Sequence, residues 1–444
     1  MAGQPLLQQQ YQVHIQALEK RYDELLDQCG YEGLLIHSGS ADYYFRDDQQ
    51  RPFRVNPYFL NWLPLDQHLN CCLWIRPGQK PRLYYFNASD FWHMPAGRAE
   101  GIWTDAFDIV EVDNLERVAV DIKGQTDLAF IGDDCNLAKS WGLTEINPQP
   151  LIAALDWHRA VKSEYEVACL AEATRIAVLG HRAVKQQFAA GASEFDLLMS
   201  YQQATGQREN QLPYGSIIAL NEHGSVLHYQ HYDQQPPAKI RSLLIDAGAS
   251  FNGYGADITR TYSAAKDNFS ALIEGLDQRQ QTLVAQLSVG QSHIDLHIQM
   301  CHMIAELLQQ SGLVTAGPEQ QLEQGIVTSF FPHGLGHLLG LQVHDAGGLQ
   351  ADARGTLLAP PESHPYLRLT RKLQAGMVFT IEPGIYFIDS LLAKLKASKA
   401  AAQVNWAGVE QLRLYGGIRI EDNICLREDG ALNLTRQAFS DQSG

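Results

Sequence analysis

The stretch Leu243–Tyr262, LLIDAGASFNGYGADITRTY, decides how the second half of this chain folds. Asn252-Gly253 at its centre is the strongest short signal for a β-hairpin, because a type I′ turn needs φ > 0 at both central residues. The flanks LLID and DITRTY, rich in β-branched and aromatic residues, read as its two strands. A two-residue turn sets Phe251 opposite Tyr254, and the same register sets Asp246 opposite Thr259 and Asp257 opposite Gly248. Both aspartates then point to one side as diagonal neighbours, roughly 7–8 Å apart. Gly248, lacking a side chain, leaves the space between them open. A lone aspartate at a strand end reads most simply as a solvated cap. Two on one face are destabilising unless a cation lies between them, which directs the search to further ligands.

The chain has 444 residues, too many for one ordinary core, and reads as two domains. Hydrophobic residues make up 45% and charged residues 19%, an ordinary globular mixture. A net charge of −16 argues against partners with phosphate backbones or anionic membrane surfaces, which need basic stripes. The start, MAGQPLLQQQYQVHIQ, has no basic segment followed by an apolar core, so no signal peptide is expected. No apolar run approaches the ~20 residues of a membrane span. Cysteines 29, 71, 72, 135, 169, 301 and 425 are scattered, odd in number and without a C-x-x-C pair. They read as reduced thiols of a cytoplasmic protein.

Residues 6–29 carry Tyr11, Ile15, Leu18, Tyr22, Leu25 and Leu26 at helical spacing and stop at Gly30. GLLIHSG, CCLWI, RLYYF and LAFIG follow as short strands, giving an N-terminal mixed α/β domain over residues 1–158. The second domain, 159–444, opens with a capping box, Ser163 to Glu166, at the head of a helix. Helix EFDLLMSYQQAT and strands GSIIAL, SVLHY and SLLID come next. After the hairpin stand two long helices, and strands MVFTIEPGIYF and GIRIEDNICL close the chain. Runs of strands and long helices, without strict alternation, indicate an α+β domain with an antiparallel sheet. LAKLKASKAAAQ reads as an exposed, solvated helix or insertion.

Three later segments hold further ligand types. FPHGLGHLLGLQVHD carries His333, His337 and His344, FTIEPGIY carries Glu382, and GIRIEDN carries Arg419 and Glu421 two apart on one strand face. The H-x-x-x-H spacing of His333 and His337 invites a zinc-protease reading, but the second-position Glu is absent and two glycines interrupt the helix that motif needs. A carboxylate in an apolar strand, as at Glu382, is costly unless paired or metal-bound. Asp246, Asp257, His337, Glu382 and Glu421 make a hard, oxygen-rich set that suits Mn²⁺ rather than structural zinc. Four carboxylate charges are neutralised by two divalent cations, and two metals ~3.5–4 Å apart form a hydrolytic centre.

The strings IALNEHGSVLHY, DAGASFNGYGADITRTY, HGLGHLLGLQVHD, TIEPGIYFIDSLL and GGIRIEDN resemble the pita-bread metallopeptidases. Specifically, they resemble the bacterial Xaa-Pro dipeptidases (prolidases), a branch that includes organophosphorus acid anhydrolases. The block from NPYFLNWLP to DFWHM resembles that branch rather than aminopeptidase P. The resemblance implies a C-terminal pita-bread domain and two Mn²⁺ per subunit, with Co²⁺ or another divalent ion able to substitute. It implies hydrolysis of dipeptides ending in proline by a hydroxide bridging the metals, with organophosphorus triesters as a side activity. Asp246 would bind one metal, Asp257 and Glu421 would bridge both, and His337 and Glu382 would complete the other. Glu382 would also relay a proton. His344 and His228 would hold the scissile carbonyl or the substrate carboxylate. His333 would line the proline pocket with Tyr214 close by, and Arg419 and Arg368 would pair the dipeptide's carboxylate. The resemblance further implies a homodimer in which the first domain limits substrate length, Asp48 and Trp92 being candidates for that role. His293 stands where that branch usually carries tyrosine. The alternatives are an aminopeptidase P-like enzyme cutting longer peptides and a non-catalytic binding protein of the same fold.

Overall fold

The computed structural model describes residues 4–441. The chain forms two compact units: one runs to Arg159 and includes Ser163–Ala168 and Asp352–Gly355, and the other holds Ala160–Lys162, Cys169–Ala351 and the chain from Thr356 on.

In the first unit, helix Gln4–Cys29 buries Tyr11, Ile15, Leu18, Tyr22, Leu25 and Leu26, the one face that repeats every three to four residues. It stops at Gly30, whose φ of +75° suits glycine. A six-stranded mixed sheet follows, in the spatial order Asp108–Val112, Arg82–Phe86, Cys72–Ile75, Gly33–His37, Leu128–Ile131, Glu145–Ile146. Gly33–His37 runs antiparallel to Cys72–Ile75 and parallel to Leu128–Ile131. Both neighbours cover its edges, and all five of its residues are buried, which is why it reads as a continuous apolar run.

The second unit is α+β. Ser242–Asp246 lies between Thr259–Ser263 and Ile217–Leu220 in an antiparallel sheet. The hairpin register is the one the turn dictates. Tyr254 pairs with Phe251, Asn252 and Gly253 both have positive φ, and Thr259 pairs with Asp246. Gly248 has a different reason from the one expected. A Cβ there would come 1.9 Å from the Ala256 carbonyl oxygen, so glycine is required by the close approach of the opposite strand.

Near the C-terminus, Val378–Ile381 pairs with Asp422–Arg427 and Gly384–Tyr386 pairs with Gly417–Arg419. Proline 383, which has no N–H to donate, interrupts the run. The two ladders nevertheless share one register, Ile381↔Asp422 and Gly384↔Arg419, which sets Glu382 opposite Glu421 in the gap between them. An isolated bridge, Thr259↔Glu421, ties this pair to the hairpin.

Helices Asn268–Val284 and His293–Gln310 pack their apolar faces into one core with these strands, Leu276, Met300 and Ile304 meeting Phe379 and Ile424. Truncating such a leucine to alanine costs about 2–5 kcal/mol. Two expectations change. SVLHY is not a strand: Asn221, at φ +53°, turns the chain out of Ile217–Leu220 into a short 3₁₀ turn, and its Oδ1 accepts the Arg241 N–H at 2.7 Å. The Ala/Lys-rich segment is not wholly solvated. It forms helix Asp389–Lys396 and a 3₁₀ turn whose Leu392, Leu395 and Ala400 join the core.

Candidate metal centre

Backbone pairing carries the ligand types to one place. The segment around His337 is extended, not helical, and lies along strand Val378–Ile381. Thr380 N–H donates to His337 O at 2.9 Å, and Glu382 N–H donates to Leu335 O at 2.8 Å. Gly336 permits this, since a Cβ would sit 1.9 Å from the Thr380 carbonyl oxygen. His337 Nε2 then lies 3.4 Å from Asp257 Oδ2, 3.6 Å from Glu382 Oε1 and 3.9 Å from Glu421 Oε1. Donor atoms of Asp257, His337 and Glu421 all lie within 4.8 Å of one another. Asp246 enters through Tyr214, whose hydroxyl is 2.7 Å from Asp246 Oδ1 and 2.6 Å from Asp257 Oδ1.

All five expected ligands line one cavity of ≈ 470 Å³ with His228, His333, His344, Arg368 and Arg419. Tyr214 acts from behind it, on the aspartates. His344 stacks edge-on to His337 at 4.4 Å between ring centres. His333 Nε2 lies 2.8 Å from Tyr386 Oη, and its Nδ1 lies 3.6 Å from Glu382 Oε2. Arg419 donates to Asp246 Oδ2 at 2.6 Å, to Tyr386 Oη at 2.9 Å and to Thr259 Oγ1 at 3.1 Å. His228 and Arg368 are exposed at the cavity. His293 is elsewhere: it is fully buried, its Nδ1 3.1 Å from the Leu369 carbonyl, and it is not part of the cavity wall.

Three residues complete the arrangement that the sequence reading left out. Thr259 donates to Glu421 Oε2 at 2.7 Å, Thr380 approaches Glu382 Oε1 at 3.4 Å, and Tyr386 bridges Arg419 and His333. The signal for them is the period of two in a strand, which puts residues i and i+2 on one face. Thr259 is two past Asp257, Thr380 two before Glu382, and Tyr386 four beyond it.

Charge is the test of whether metals fit here. Burial pushes the Glu382 carboxyl up to about 7. Burial, then the neighbouring carboxylates, pushes Glu421 well above the usual range. Burial also raises Asp257. For His337, burial alone would lower the imidazole, but hydrogen bonding to Asp257 and the charge of Glu382 raise it instead. Without cations, then, these groups hold protons more tightly than they would in water. A donor set of four carboxylates and one imidazole fits hard divalent ions that would replace those protons.

Residues 9–157 match the family described as Xaa-Pro dipeptidase, N-terminal domain, and residues 168–428 match metallopeptidase family M24. A protein of Aeromonas hydrophila subsp. hydrophila named Xaa-Pro dipeptidase is 46% identical over 428 residues, 96% of this chain and 97% of that one. Namesakes from Shewanella pealeana and Yersinia pestis are each 44% identical, again over 96% of this chain and 97% of theirs. Among solved structures, Escherichia coli aminopeptidase P with the inhibitor Pro-Leu superposes with a TM-score of 0.72 at 22% identity, covering 97% of this chain and 95% of that one. A zinc-substituted form of the same enzyme in complex with product gives 0.70 at 21%. That likeness shows the common fold, the pita-bread architecture expected for the C-terminal part. The chain belongs to metallopeptidase family M24 and, within it, to the Xaa-Pro dipeptidases.

Proposed function

We propose that the protein is a metal-dependent Xaa-Pro dipeptidase that holds two Mn²⁺ among Asp246, Asp257, His337, Glu382 and Glu421. The observation that carries this reading is the single cavity in which those five side chains meet three further histidines and two arginines. Its ≈ 470 Å³ is of small-ligand size, within the ~300–1,000 Å³ usual for such sites. When bound, the cations supply an acidified water and positive charge for the oxygen that becomes anionic in the transition state. Co²⁺ or another oxygen-seeking divalent ion suits the same donors.

The chain's own groups do the rest. Arg419 and Arg368 present guanidiniums to the dipeptide's carboxylate, a geometry that a planar fork matches in two-pronged fashion. His228 and His344 face the scissile carbonyl from the cavity wall. His333, held by Tyr386, borders the proline ring. Glu382 takes a proton from the attacking water and returns it to the proline nitrogen as that nitrogen leaves. A carboxylate placed in the cavity wall beside His337 and His333 is positioned for both transfers. An X-Pro bond has no N–H, so a peptidase that recognises that donor loses its hold on it. This site works instead from the carbonyl and the terminal carboxylate.

The proposed homodimer rests on the family resemblance. A cytoplasmic setting is supported by seven cysteines of which none forms a disulfide. No described helix is long and apolar enough to cross a membrane. Metal-stripped protein given Mn²⁺ should regain hydrolysis of Ala-Pro as two equivalents bind, and lose it again to a chelator. Recovery without added metal would overturn the reading.

A further inference from the structure

Apart from the oxygen-rich cluster, three softer donors converge in the second unit. Helix His293–Gln310 carries His293, His297 and Cys301 at successive four-residue steps, which stack along one face. His364, from the loop after Pro361, closes onto this face. Its Nδ1 lies 3.0 Å from His297 Nε2, and Cys301 Sγ lies 3.5 Å from the same Nε2. Donor atoms of all three residues lie within 4.8 Å of one another. His297 and Cys301 are each 1% exposed, and His364 is half-buried. His297 and His364 also border a cavity of ≈ 140 Å³, room for several waters at ~30 Å³ each.

Hydrogen bonding within this trio all runs through one atom, His297 Nε2. An imidazole nitrogen offers either one N–H or one in-plane lone pair. His297 Nε2 is approached by both His364 Nδ1 and Cys301 Sγ, so its single N–H or lone pair is shared between them. His297 Nδ1 has no hydrogen-bond partner, so Nε2 is the ring nitrogen that meets the other two donors. A tetrahedral ion bound at ~2.0–2.1 Å to nitrogen and ~2.3 Å to sulfur holds its ligand atoms about 3.3 Å (N to N) and about 3.6 Å (N to S) apart. The two spacings from His297 Nε2, 3.0 Å to nitrogen and 3.5 Å to sulfur, are close to those values.

We propose that His297, Cys301 and His364 form a further metal site, separate from the five-ligand cluster, that takes an ion of the Zn²⁺ class with a water from the adjoining cavity as fourth ligand. Two imidazoles and a thiolate favour such an ion over Mn²⁺. On binding, the Cys301 S–H bond gives way to a sulfur–zinc bond and its proton leaves to solvent, while both imidazoles bind neutral. One proton is released per ion. The site stands next to the substrate cavity: Phe331 packs on both His297 and His333, and the two cavities share Pro332, His333, Gly334 and Tyr366.

Sulfur distinguishes the two sites, because the five-ligand cluster contains none. Mn²⁺-reconstituted protein titrated with Co²⁺ should develop a near-ultraviolet sulfur-to-cobalt charge-transfer band that saturates at the intensity of one sulfur-bound cobalt per chain, whatever Co²⁺ the sulfur-free cluster also takes up, and is erased by Zn²⁺. Cys301→Ser should lack the band while keeping the wild-type Mn²⁺ content. His364→Gln, altering a half-buried loop residue, should keep the band but need at least tenfold more Co²⁺ to reach it, and it decides the matter should Cys301→Ser fail to fold. Absence of the band in wild-type protein at excess Co²⁺, or a band unchanged in His364→Gln, would overturn the proposal. Neither result bears on dipeptide hydrolysis.

Discussion

Arg419 Nη2 lies 2.6 Å from Asp246 Oδ2, so the guanidinium expected to meet a substrate carboxylate already holds a carboxylate of the proposed metal centre. Its Nη1 and Nε are engaged by Tyr386 and Thr259, which fixes the plane of the fork. A guanidinium has five N–H groups, and the remaining ones can serve a second carboxylate. Arg419→Met should therefore raise KM for Ala-Pro about tenfold or more, the equivalent of one charged hydrogen bond. Ala-Pro amide, which lacks the carboxylate, should be affected much less. Equal losses on both substrates would confine Arg419 to holding Asp246.

The buried carboxyls predict how metal removal couples to pH. Glu382 is pushed up to about 7, and Glu421 and Asp257 are also raised, whereas carboxyls in an unfolded chain titrate near ~4. The metal-free native state thus holds more protons than the unfolded chain between these limits. Its stability is fully present below ~4 and is lost as pH rises toward about 7. The Tm of stripped protein should fall from pH 5 to pH 7.5, and Mn²⁺ should raise it most at the upper end. A Mn²⁺-induced shift in Tm that is constant over that range would contradict the assignment.

Tyr214 offers one proton to two carboxylates, Asp246 and Asp257. Removing such an outer partner of metal ligands typically costs 10–100-fold in affinity or activity. Tyr214→Phe should fold normally and bind Mn²⁺ about 10–100-fold more weakly at one of two steps in a calorimetric titration. Unchanged binding would relegate the hydroxyl to the metal-free state.

Gly336 lies against strand Val378–Ile381 so closely that a methyl group would overlap the Thr380 carbonyl oxygen. Gly336→Ala must displace the chain that carries His337. The expected result is a loss of several kcal/mol in stability, the range of severe core clashes, together with loss of Mn²⁺ binding. Circular dichroism melts and metal content would check both.

Much of this arrangement could be read from residue order alone. Asn252-Gly253 dictates the hairpin register, and from it follows the pairing of Asp246 with Thr259. The Glu382–Glu421 pairing is less legible, because it depends on two ladders keeping one register across Pro383. The roles of Gly248 and Gly336 could not be read at all: each answers to a carbonyl distant in sequence or across a turn, and composition carries no trace of it. His293 shows the same limit. It stands where the resembling branch usually carries tyrosine, and the helix that carries it turns it into the core against Phe379. Thr259, Thr380 and Tyr386 were within reach of strand periodicity, yet neutral hydroxyls draw no attention until the charges beside them are located.

Hydrolysis of Ala-Pro and of Ala-Pro-Ala by the same Mn²⁺-reconstituted preparation tests the central claim most directly. The account predicts cleavage of the dipeptide alone, abolished by chelation and restored by Mn²⁺. Cleavage of the tripeptide at a comparable rate would contradict it and make the protein an aminopeptidase P in action. Failure to cut either peptide would remove the peptidase reading altogether.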